Sequence, residues 1–233
     1  NPTADVEGFD AAYKLSMLSS LAFHTKGPFS KVFREGITGI TKEVIADGKE
    51  LGYCLKLLAI GKQTEEGIEV RVHPTFVRLG HPLAAVNDSF NAVYISGDSV
   101  GDVMLYGRGA GALPTGSAIV SDVIYAATHG ENRYSTFKNT ANAEKDVKFP
   151  SDFKSAYYLR MKVSDRTGVL AKITALFAKY NISIEEMLQK GQGDTATVTF
   201  VTHETRELAV RNAVSKINAL EIAHVDSVLR VVS

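Results

Sequence analysis

The fold of the second half of the chain is decided by residues 157–180, YYLRMKVSDRTGVLAKITALFAKY. The first seven residues place every second side chain on one apolar face, which is the period of a β-strand. These positions are Tyr157, Leu159, Met161 and Val163. After a short polar turn the period becomes helical, and one helical face carries Val169, Ile173, Leu176, Phe177 and Tyr180. The segment predicts a strand that runs directly into an amphipathic helix.

The rest of this half continues the pattern. Residues 182–203 contain two further strands, ISIEEMLQKG and TATVTFVTH, and residues 206–232 contain a helix, RELAVRNAVSKI, and a strand, AHVDSVLRVV. The apolar positions aligned on the second strand and on the helix are Ala196, Val198 and Phe200, and Val210, Ala213, Val214 and Ile217. The order βαββαβ predicts a ferredoxin-like module for residues 156–233.

The first half mixes helices and strands. Helices are predicted at 6–23, at 41–52 with Thr41 as N-cap and Gly52 as stop, and from about Thr115 to Gly130. Four segments rich in Val, Ile, Tyr and Phe predict strands: YCLKLLAIGKQ, IEVRVHPTFVRL, FNAVYISGD and GDVMLYG. In the second of these, Ile68, Val70 and Val72 alternate with Glu69, Arg71 and His73. That alternation predicts a sheet with one face in solvent.

Between the halves, residues 129–155 are polar and lack a sustained period, which is typical of a linker. The sequence therefore predicts an α+β protein: a mixed-sheet domain at 1–130 with a final helix at about 115–129, a linker at 131–155, and the ferredoxin-like domain at 156–233.

The composition narrows the classes of partner and compartment. The chain has 233 residues, enough for two compact domains, and its 26 Lys and Arg balance 26 Asp and Glu. No basic patch is present to neutralise phosphates, which argues against nucleic acid as a partner. Cys54 is the only cysteine, so an internal disulfide is excluded and a reducing compartment, the cytoplasm, is favoured. No apolar run is long enough to span a bilayer. Because the sequence opens on the polar stretch NPTADVEG without an initiator methionine, we expect a fragment of a longer protein.

An ion pair is predicted on the opening helix. Ala11, Leu15, Leu18 and Ala22 form its apolar stripe. Lys14 stands beside that stripe, with Asp10 one turn earlier in the favourable acid-before-base order. A lysine in this place either extends to water or holds its charge in a partly dry environment. The residues alone favour a surface ion pair; the alternative is an acid–base pair at a pocket.

A turn in the second half predicts a binding site. In SDRTGVLAKI, Gly168 lets the helix begin close to the strand with free backbone N–H groups, which suit a carboxylate. Asn181, before the next strand, offers an amide to the same ligand. The alternative is structural: Asp165 caps the helix, Gly168 turns the chain and Asn181 starts the strand. At the level of motifs the module resembles the ACT domain, an amino-acid-sensing unit, although Thr167 stands where that family usually has proline.

A glycine tract, YGRGAGALPTGSAIV, matches a dinucleotide fingerprint in its spacing. Gly107, Gly109 and Ala112 have the G-x-G-x-x-A spacing between a predicted strand and a helix. The second strand with its ribose-binding acid is absent from the sequence about twenty residues later, where polar linker follows. Pro114 also interrupts the turn into the helix. A self-contained nucleotide fold is therefore not expected, and the tract is either a close-packed turn or a close approach of backbone to a ligand.

Several of these motifs together resemble homoserine dehydrogenase along nearly the whole chain. They are NPTADVEGFDAAYKL, EGITGIT, IEVRVHPTFV, HPLAAVNDSFNAV, YGRGAGALPTGSAIVSD and the ACT-like tail. The resemblance implies an oxidoreductase that interconverts L-homoserine and L-aspartate 4-semialdehyde with NAD or NADP, on the route to threonine and methionine. It further implies that a Rossmann domain precedes this chain, binds most of the cofactor, and is missing here.

The resemblance also assigns residues. Lys14 matches the family's catalytic lysine, Asp10 its partner acid, and Asp5 a carboxylate that binds the substrate's amino group. Gly109 and Gly111 are assigned to the nicotinamide end of the cofactor, and Asp165, Gly168 and Asn181 to an amino-acid effector, with threonine expected. A homodimer or homotetramer formed by sheet pairing is expected. No metal is expected, because His24, His73, His81 and Cys54 do not have ligand spacing.

The fragment alone is expected to lack dehydrogenase activity. A non-catalytic amino-acid-sensing and oligomerisation protein is the alternative from another functional class.

Overall fold

The computed structural model of the protein describes residues 2–27, 29–129 and 147–232. Its helices are α1 Thr3–Val6, α2 Phe9–Ala22, α3 Lys42–Glu50, α4 Ala112–His129, α5 Val169–Lys179 and α6 Glu207–Asn218. Its strands are β1 Phe33–Arg34, β2 Tyr53–Thr64, β3 Gly67–Arg78, β4 Phe90–Gly97, β5 Gly101–Arg108, β6 Lys154–Ser164, β7 Ile184–Gln192, β8 Thr195–Thr202, β9 Thr205–Arg206 and β10 Ala223–Val232. Single 3₁₀ turns lie at Phe29–Lys31 and Pro82–Ala85.

The second half folds as the sequence predicts. Strands β6, β7, β8 and β10 with helices α5 and α6 follow the order βαββαβ, apart from the two-residue strand β9 before α6. The predicted apolar faces meet in one buried core. Its fully buried members include Leu159, Met161, Ile173, Phe200 and Ile217. The α+β fold class, with a mixed-sheet domain followed by a ferredoxin-like module, is confirmed.

The two halves share one sheet. Strand β3 pairs with β2 in antiparallel fashion along its whole length. Its other edge pairs in parallel with both β1 and β10. The junction register is Arg230 to Thr75, Val231 to Phe76 and Val232 to Val77. The resulting order is β1-β3-β10-β6-β8-β7, with β2 added beside β3. Backbone hydrogen bonds therefore join the domains directly.

The expectation that β3 has one face in solvent is wrong. Glu69, Arg71 and His73 are buried along with the apolar residues between them. The reason is tertiary: helix α2 covers the face of Val70 and Val72, while residues just before β6 cover the opposite face. There the Phe153 ring stacks on His73, with 6.0 Å between centroids. A local alternation of polar and apolar residues predicts a solvent face only if no distant segment packs on it. Here Phe153, eighty residues after His73, does so.

The predicted linker, 131–155, is only partly described. Residues 131–146 lie outside the described residues, whereas 147–155 are packed. Val147 and Phe149 contact the apolar cluster beneath α2, the Ile68 N–H donates to the Lys148 carbonyl at 2.9 Å, and β6 already begins at Lys154. The packing was not predicted because the segment is mostly polar and only a few apolar side chains hold it: Val147, Phe149 and Phe153.

The first helices differ in detail from the prediction. The predicted helix at 6–23 is broken at Gly8, whose left-handed backbone (φ 74°) separates α1 from α2. The buried stripe of α2 is Ala12, Leu15 and Ser19, whereas Leu18 is 48% exposed. Helix α3 agrees with the prediction, because the Thr41 Oγ1 accepts from the Val44 N–H at 3.4 Å.

Two elements at the far side of the first half have little cover. Helix α4 begins at Ala112, three residues before the predicted start, with Pro114 inside its first turn, where proline is tolerated. Its predicted end at Gly130 lies outside the described residues. None of the α4 residues is buried. The β4–β5 hairpin is also largely exposed, as at Leu105. Of the helices in the described ranges, none is both long enough and apolar enough to cross a membrane.

Candidate functional site

An open cavity of about 780 Å³ lies around the outer edge of β2. On one side it is bounded by α2 and on another by the β4 strand. Its wall includes Asp10 and Lys14 from α2, Ala59 and Gly61 from β2, and Asn91 and Tyr94 from β4. In the parts of the chain that the structure describes, this outer edge of β2 has no strand partner. Residues of the second half, such as Ser155 and Glu204, also line it, so the cavity depends on the tertiary fold of both halves.

Asp10 and Lys14 form the predicted ion pair on the cavity wall. The Lys14 Nζ lies 2.7 Å from Asp10 Oδ2. The Lys14 side chain is 61% exposed and that of Asp10 is 48% exposed. The expected partly dry environment is therefore not present in this chain. The cause is the rotated stripe of α2: Leu18, expected to shelter the lysine, itself faces solvent. Asp10 and Lys14 are thus placed to hold opposite charges at the cavity. No apolar side chain among the described residues excludes water from them.

Of the other predicted residues of the first half, only Gly109 joins this wall. A Cβ at Gly109 would lie 2.1 Å from the Nδ2 of Asn91, an exposed side chain that would have to move to admit it. The alternatives for the glycine tract, a close-packed turn and a close approach to a ligand, both stay open. Gly111 has φ 117° and turns the chain into α4. Asp5 lies exposed on α1, and neither it nor Gly111 lines the cavity.

The glycine tract does not belong to a nucleotide-binding unit in the described residues. The strand before it, β5, pairs with β4 in antiparallel fashion as a separate two-stranded sheet. A dinucleotide unit needs two parallel strands joined by the helix. The described residues therefore do not form the main binding site of a nicotinamide nucleotide.

The predicted effector residues are all exposed at the start and end of α5. Gly168, with φ 86°, precedes the first helical residue, and no side chain caps it. The alternative in which Asp165 caps α5 is not supported, because no side chain caps this helix. The Asp165 Oδ1 instead accepts a hydrogen bond from the Gln189 Nε2 at 3.5 Å. Asn181 has φ 55° and its N–H donates to the Ala178 carbonyl, so it ends α5 rather than starting β7. The open helix start remains available to an anion.

Sequence reasoning missed a buried charge cluster at the domain junction. Arg230 of β10 contacts Glu207 at the start of α6, with Nη2 to Oε1 at 2.7 Å, and also hydrogen-bonds to Glu35. The Tyr157 hydroxyl donates to Glu207 Oε2 at 2.9 Å. Burial alone would raise the pKa of Glu207, but the hydrogen bond and charge of Arg230 lower it. Polar residues at inward strand positions were the available signal, but their partners are distant in sequence.

The same region contains polar atoms without partners. Among the described residues, Glu69 Oε2, Arg71 Nε and Nη1, and His73 Nε2 are buried and have no hydrogen-bond partner. Arg71 and Glu69 still form an ion pair, with Nη2 3.8 Å from Oε2. Burial, together with the charges of Arg230 and Arg71, lowers the pKa of His73 to about 3. No group of three or more His, Cys, Asp or Glu positioned for a metal ion occurs within the described ranges.

Comparisons with known proteins agree with this architecture. Residues 157–222 match the ACT domain family, and residues 1–124 match the family described as homoserine dehydrogenase. A homoserine dehydrogenase of Neisseria gonorrhoeae is 41% identical over 230 residues, covering 95% of this chain and 53% of that protein. One from Bacillus subtilis is 40% identical, covering 95% and 52%. The chain thus spans about half the length of the curated relatives it matches.

A solved structure gives the same result. The crystal structure of a homoserine dehydrogenase from Thiobacillus denitrificans superposes with a TM-score of 0.92 at 38% identity, covering the whole of this chain and 55% of that one. Fold and site together define an α+β domain with an ion-paired cavity, joined through one sheet to an ACT regulatory domain. The chain belongs to the homoserine dehydrogenase family.

Proposed function

We propose that this chain is the substrate-binding, oligomerisation and regulatory portion of an enzyme that interconverts L-homoserine and L-aspartate 4-semialdehyde. Its place would be in threonine and methionine biosynthesis in the cytoplasm. The observation that carries the proposal is the Asp10–Lys14 pair, 2.7 Å apart on the wall of the cavity in a chain of this family. In the domain division we propose, residues 1–130 bind substrate and associate, 131–155 connect, and 156–233 regulate.

Lys14 acts as the proton donor and acceptor in this proposal. Reduction of an aldehyde builds negative charge on its oxygen, and a nearby ammonium group stabilises that charge and donates a proton to it. In the reverse direction Lys14 takes the proton of the homoserine hydroxyl. Asp10 orients the ammonium group. Asp5, whose carboxylate is exposed on the preceding short helix, binds the amino group of the substrate by a charge-assisted hydrogen bond.

A pyridine nucleotide, NAD or NADP, supplies or accepts the hydride in this family. Since the described residues do not form a nucleotide fold, we propose that the cofactor is held mainly by the part of the enzyme that this chain does not span. Gly109 and Gly111 would close over its nicotinamide end. The exposed apolar residues of α4, such as Leu113 and Val123, support this arrangement because they lack cover here.

Regulation is assigned to the ACT domain. An amino acid, with threonine as the expected member, would bind at the open start of α5 through Gly168, with Asp165 beside it. Asn181, which the sequence assigned to the same ligand, lies beyond the other end of α5, about 16 Å away along the helix. The outer edge of β2, which has no strand partner among the described residues, and the exposed β4–β5 hairpin support self-association into a homodimer or homotetramer.

The test is substitution of Lys14 in the full-length enzyme that carries this chain. We expect Lys14→Ala to lower kcat for homoserine oxidation by about 10³-fold, because proton transfer loses its donor, with a smaller change in KM. The matched control is Lys190→Ala, which removes another exposed ion pair, Lys190 with Glu50, away from the cavity. Its kcat should stay within about twofold.

Wild-type turnover in Lys14→Ala would remove this residue from the mechanism. If instead the unsubstituted full-length protein showed no homoserine oxidation at all, the non-catalytic amino-acid-sensing alternative would stand.

A further inference from the structure

Helix α1 carries Asp5 but has little packing of its own to hold it in place. It is a single turn, Thr3–Val6, and none of its four residues is buried. A helix this short is not stable in water without tertiary contacts. Helix α2, by contrast, is anchored by the buried side chains of Ala12 and Leu15. The position of Asp5 relative to Lys14 therefore depends on the contacts that join α1 to the rest of the fold.

Arg34, at the end of β1, spans the break between the two helices. Its Nη1 donates a hydrogen bond to the Glu7 carbonyl, at the end of α1. The same guanidinium lies over the ring of Phe9, the first residue of α2, with Cζ 3.6 Å from the ring centroid. Glu7 and Phe9 flank Gly8, where the left-handed backbone turns the chain from one helix into the next. One side chain thus contacts both sides of the turn.

The residues that follow this arginine complete the contact with α1. The Ile37 N–H donates to the Val6 carbonyl at 2.8 Å. The Thr38 Oγ1 donates to the Glu7 Oε1 at 3.0 Å. A Cβ at Gly36 would lie 2.8 Å from the Glu7 Cα, so the two backbones approach closely at the end of α1. The described contacts of α1 with the sheet therefore come from one short segment, and Arg34 begins it.

The base from which Arg34 projects is itself fixed. Strand β1 pairs with β3, with Arg34 opposite Val72. The N–H of the next residue, Glu35, donates to the Val72 carbonyl at 2.8 Å. The Glu35 carboxylate pairs with the buried Arg230 of β10. Strands β3 and β10 belong to the same sheet, so the arginine connects the turn to the centre of the fold.

We propose that Arg34 is a positioning residue for the reaction: it holds Asp5 at the distance from Lys14 that a bound substrate requires. This inference rests on the proposed function, in which Asp5 binds the amino group of homoserine and Lys14 exchanges the proton of its hydroxyl. A short carbon chain joins these two groups of the substrate, so both protein side chains can act on it only at a suitable spacing. Neither Arg34 nor Asp5 lines the cavity. Arg34 therefore acts through α1 and not by touching the substrate.

The experiment is a double-mutant cycle on kcat/KM for homoserine oxidation, in the full-length enzyme that carries this chain. Arg34→Met keeps an unbranched side chain but removes the hydrogen bond to Glu7 and the charge over Phe9. We expect it to lower kcat/KM by about 30-fold, because a small misplacement of a binding group strongly reduces catalysis. In the Asp5→Ala background the same substitution should cost about threefold or less, because the residue that Arg34 positions is already gone.

Three further measurements separate positioning from a general loss of structure. KM for the pyridine nucleotide should stay within about twofold in Arg34→Met, because the cofactor is held mainly elsewhere. Arg34→Lys keeps the charge but not the planar fork and should lose less kcat/KM; the same cycle on this variant gives the answer if Arg34→Met does not fold. The matched control is Arg78→Met. Arg78 also lies over an aromatic ring, that of Tyr53 at 5.5 Å, but away from the cavity, and its loss should change kcat/KM by about twofold or less.

Three results would overturn the proposal. The first is a kcat/KM of Arg34→Met within about twofold of that of the unsubstituted enzyme. The second is an equal loss in both backgrounds, which would mean that Arg34 does not act through Asp5. The third is an unchanged kcat/KM in Asp5→Ala, which would leave Arg34 without a residue to position. In each case a large loss in Lys14→Ala would keep the proposed function, whereas an inactive unsubstituted enzyme would reject that function and the positioning role together.

Discussion

The ferredoxin-like half and the outer side of the first half differ in how completely they cover their apolar residues. In the former, Ile173 and Phe177 on α5 are 0% and 1% exposed. In the latter, Leu113 and Val123 on α4 are 86% and 62% exposed, although both helices carry similar side chains. The first region completes its core with its own elements, whereas the second leaves apolar side chains without cover among the described residues. The ion-paired cavity lies on this uncovered side, where a substrate site shared with the rest of an enzyme would be expected.

The largest effect should come from truncating a core residue of the closed half. Phe177 packs edge-to-face on Phe200 at 5.1 Å, and Phe177→Ala should lower the free energy of unfolding by about 4 kcal/mol. On the uncovered side, Val123→Ala should change it by less than about 0.5 kcal/mol. Urea titration of both variants measures the difference. Equal losses would mean that α4 is packed in solution after all.

The junction between the regions should be nearly as sensitive. Arg230→Met leaves Glu207 buried without its main partner and should cost about 3 kcal/mol. Arg211 also pairs with Glu207, at 2.8 Å, but its side chain is 55% exposed. Arg211→Ala should therefore cost about 0.5 kcal/mol or less. Urea unfolding separates them, and a small loss in Arg230→Met would show that the halves do not depend on this contact.

The free energy of unfolding should depend on pH through His73. Its pKa of about 3 in the folded protein lies below the unfolded value near 6.5, so the unfolded chain binds more protons and stability falls as the pH drops through this range. Between pH 6.5 and 4.5 this amounts to about 2.5 kcal/mol. In His73→Phe the acid-side decline of Tm should be shallower than in the wild type. The exposed His224→Gln is the control and should follow the wild type. Parallel profiles for all three would contradict a buried neutral His73.

The ferredoxin-like half was predictable because its elements bury their stripes against one another. Val169, Ile173 and Phe177 follow the helical period, and Ala196, Val198 and Phe200 follow the strand period; both sets meet in one core. Pattern and environment agree when a domain contains its own cover. The four strands of the first half were found from their β-branched and aromatic residues, and the N-cap at Thr41 from a local hydrogen bond with the Val44 N–H. Both signals are local, so they do not depend on tertiary cover.

The cover of β3 was not predictable from local pattern. Arg71 and His73 have the polarity of a solvent face, and that face becomes an interior because Phe153, about eighty residues later, packs on both side chains. The candidate site was found in part. Spacing gave the Asp10–Lys14 pair, and the resemblance gave its role. The exposure of Lys14 depends on which face of α2 is buried. The predicted stripe contained Leu18, whereas the buried residue is Ser19, one position later.

The parallel pairing of β10 with β3 has a consequence for biosynthesis. During translation β3 emerges from the ribosome about 150 residues before its neighbour. At a synthesis rate of about 5–20 residues per second, that edge waits on the order of ten seconds without its permanent neighbour. An unpaired strand edge is a template for association with other chains. Glu69 and Arg71, buried only once the fold is complete, leave charge on the nascent strand during that interval.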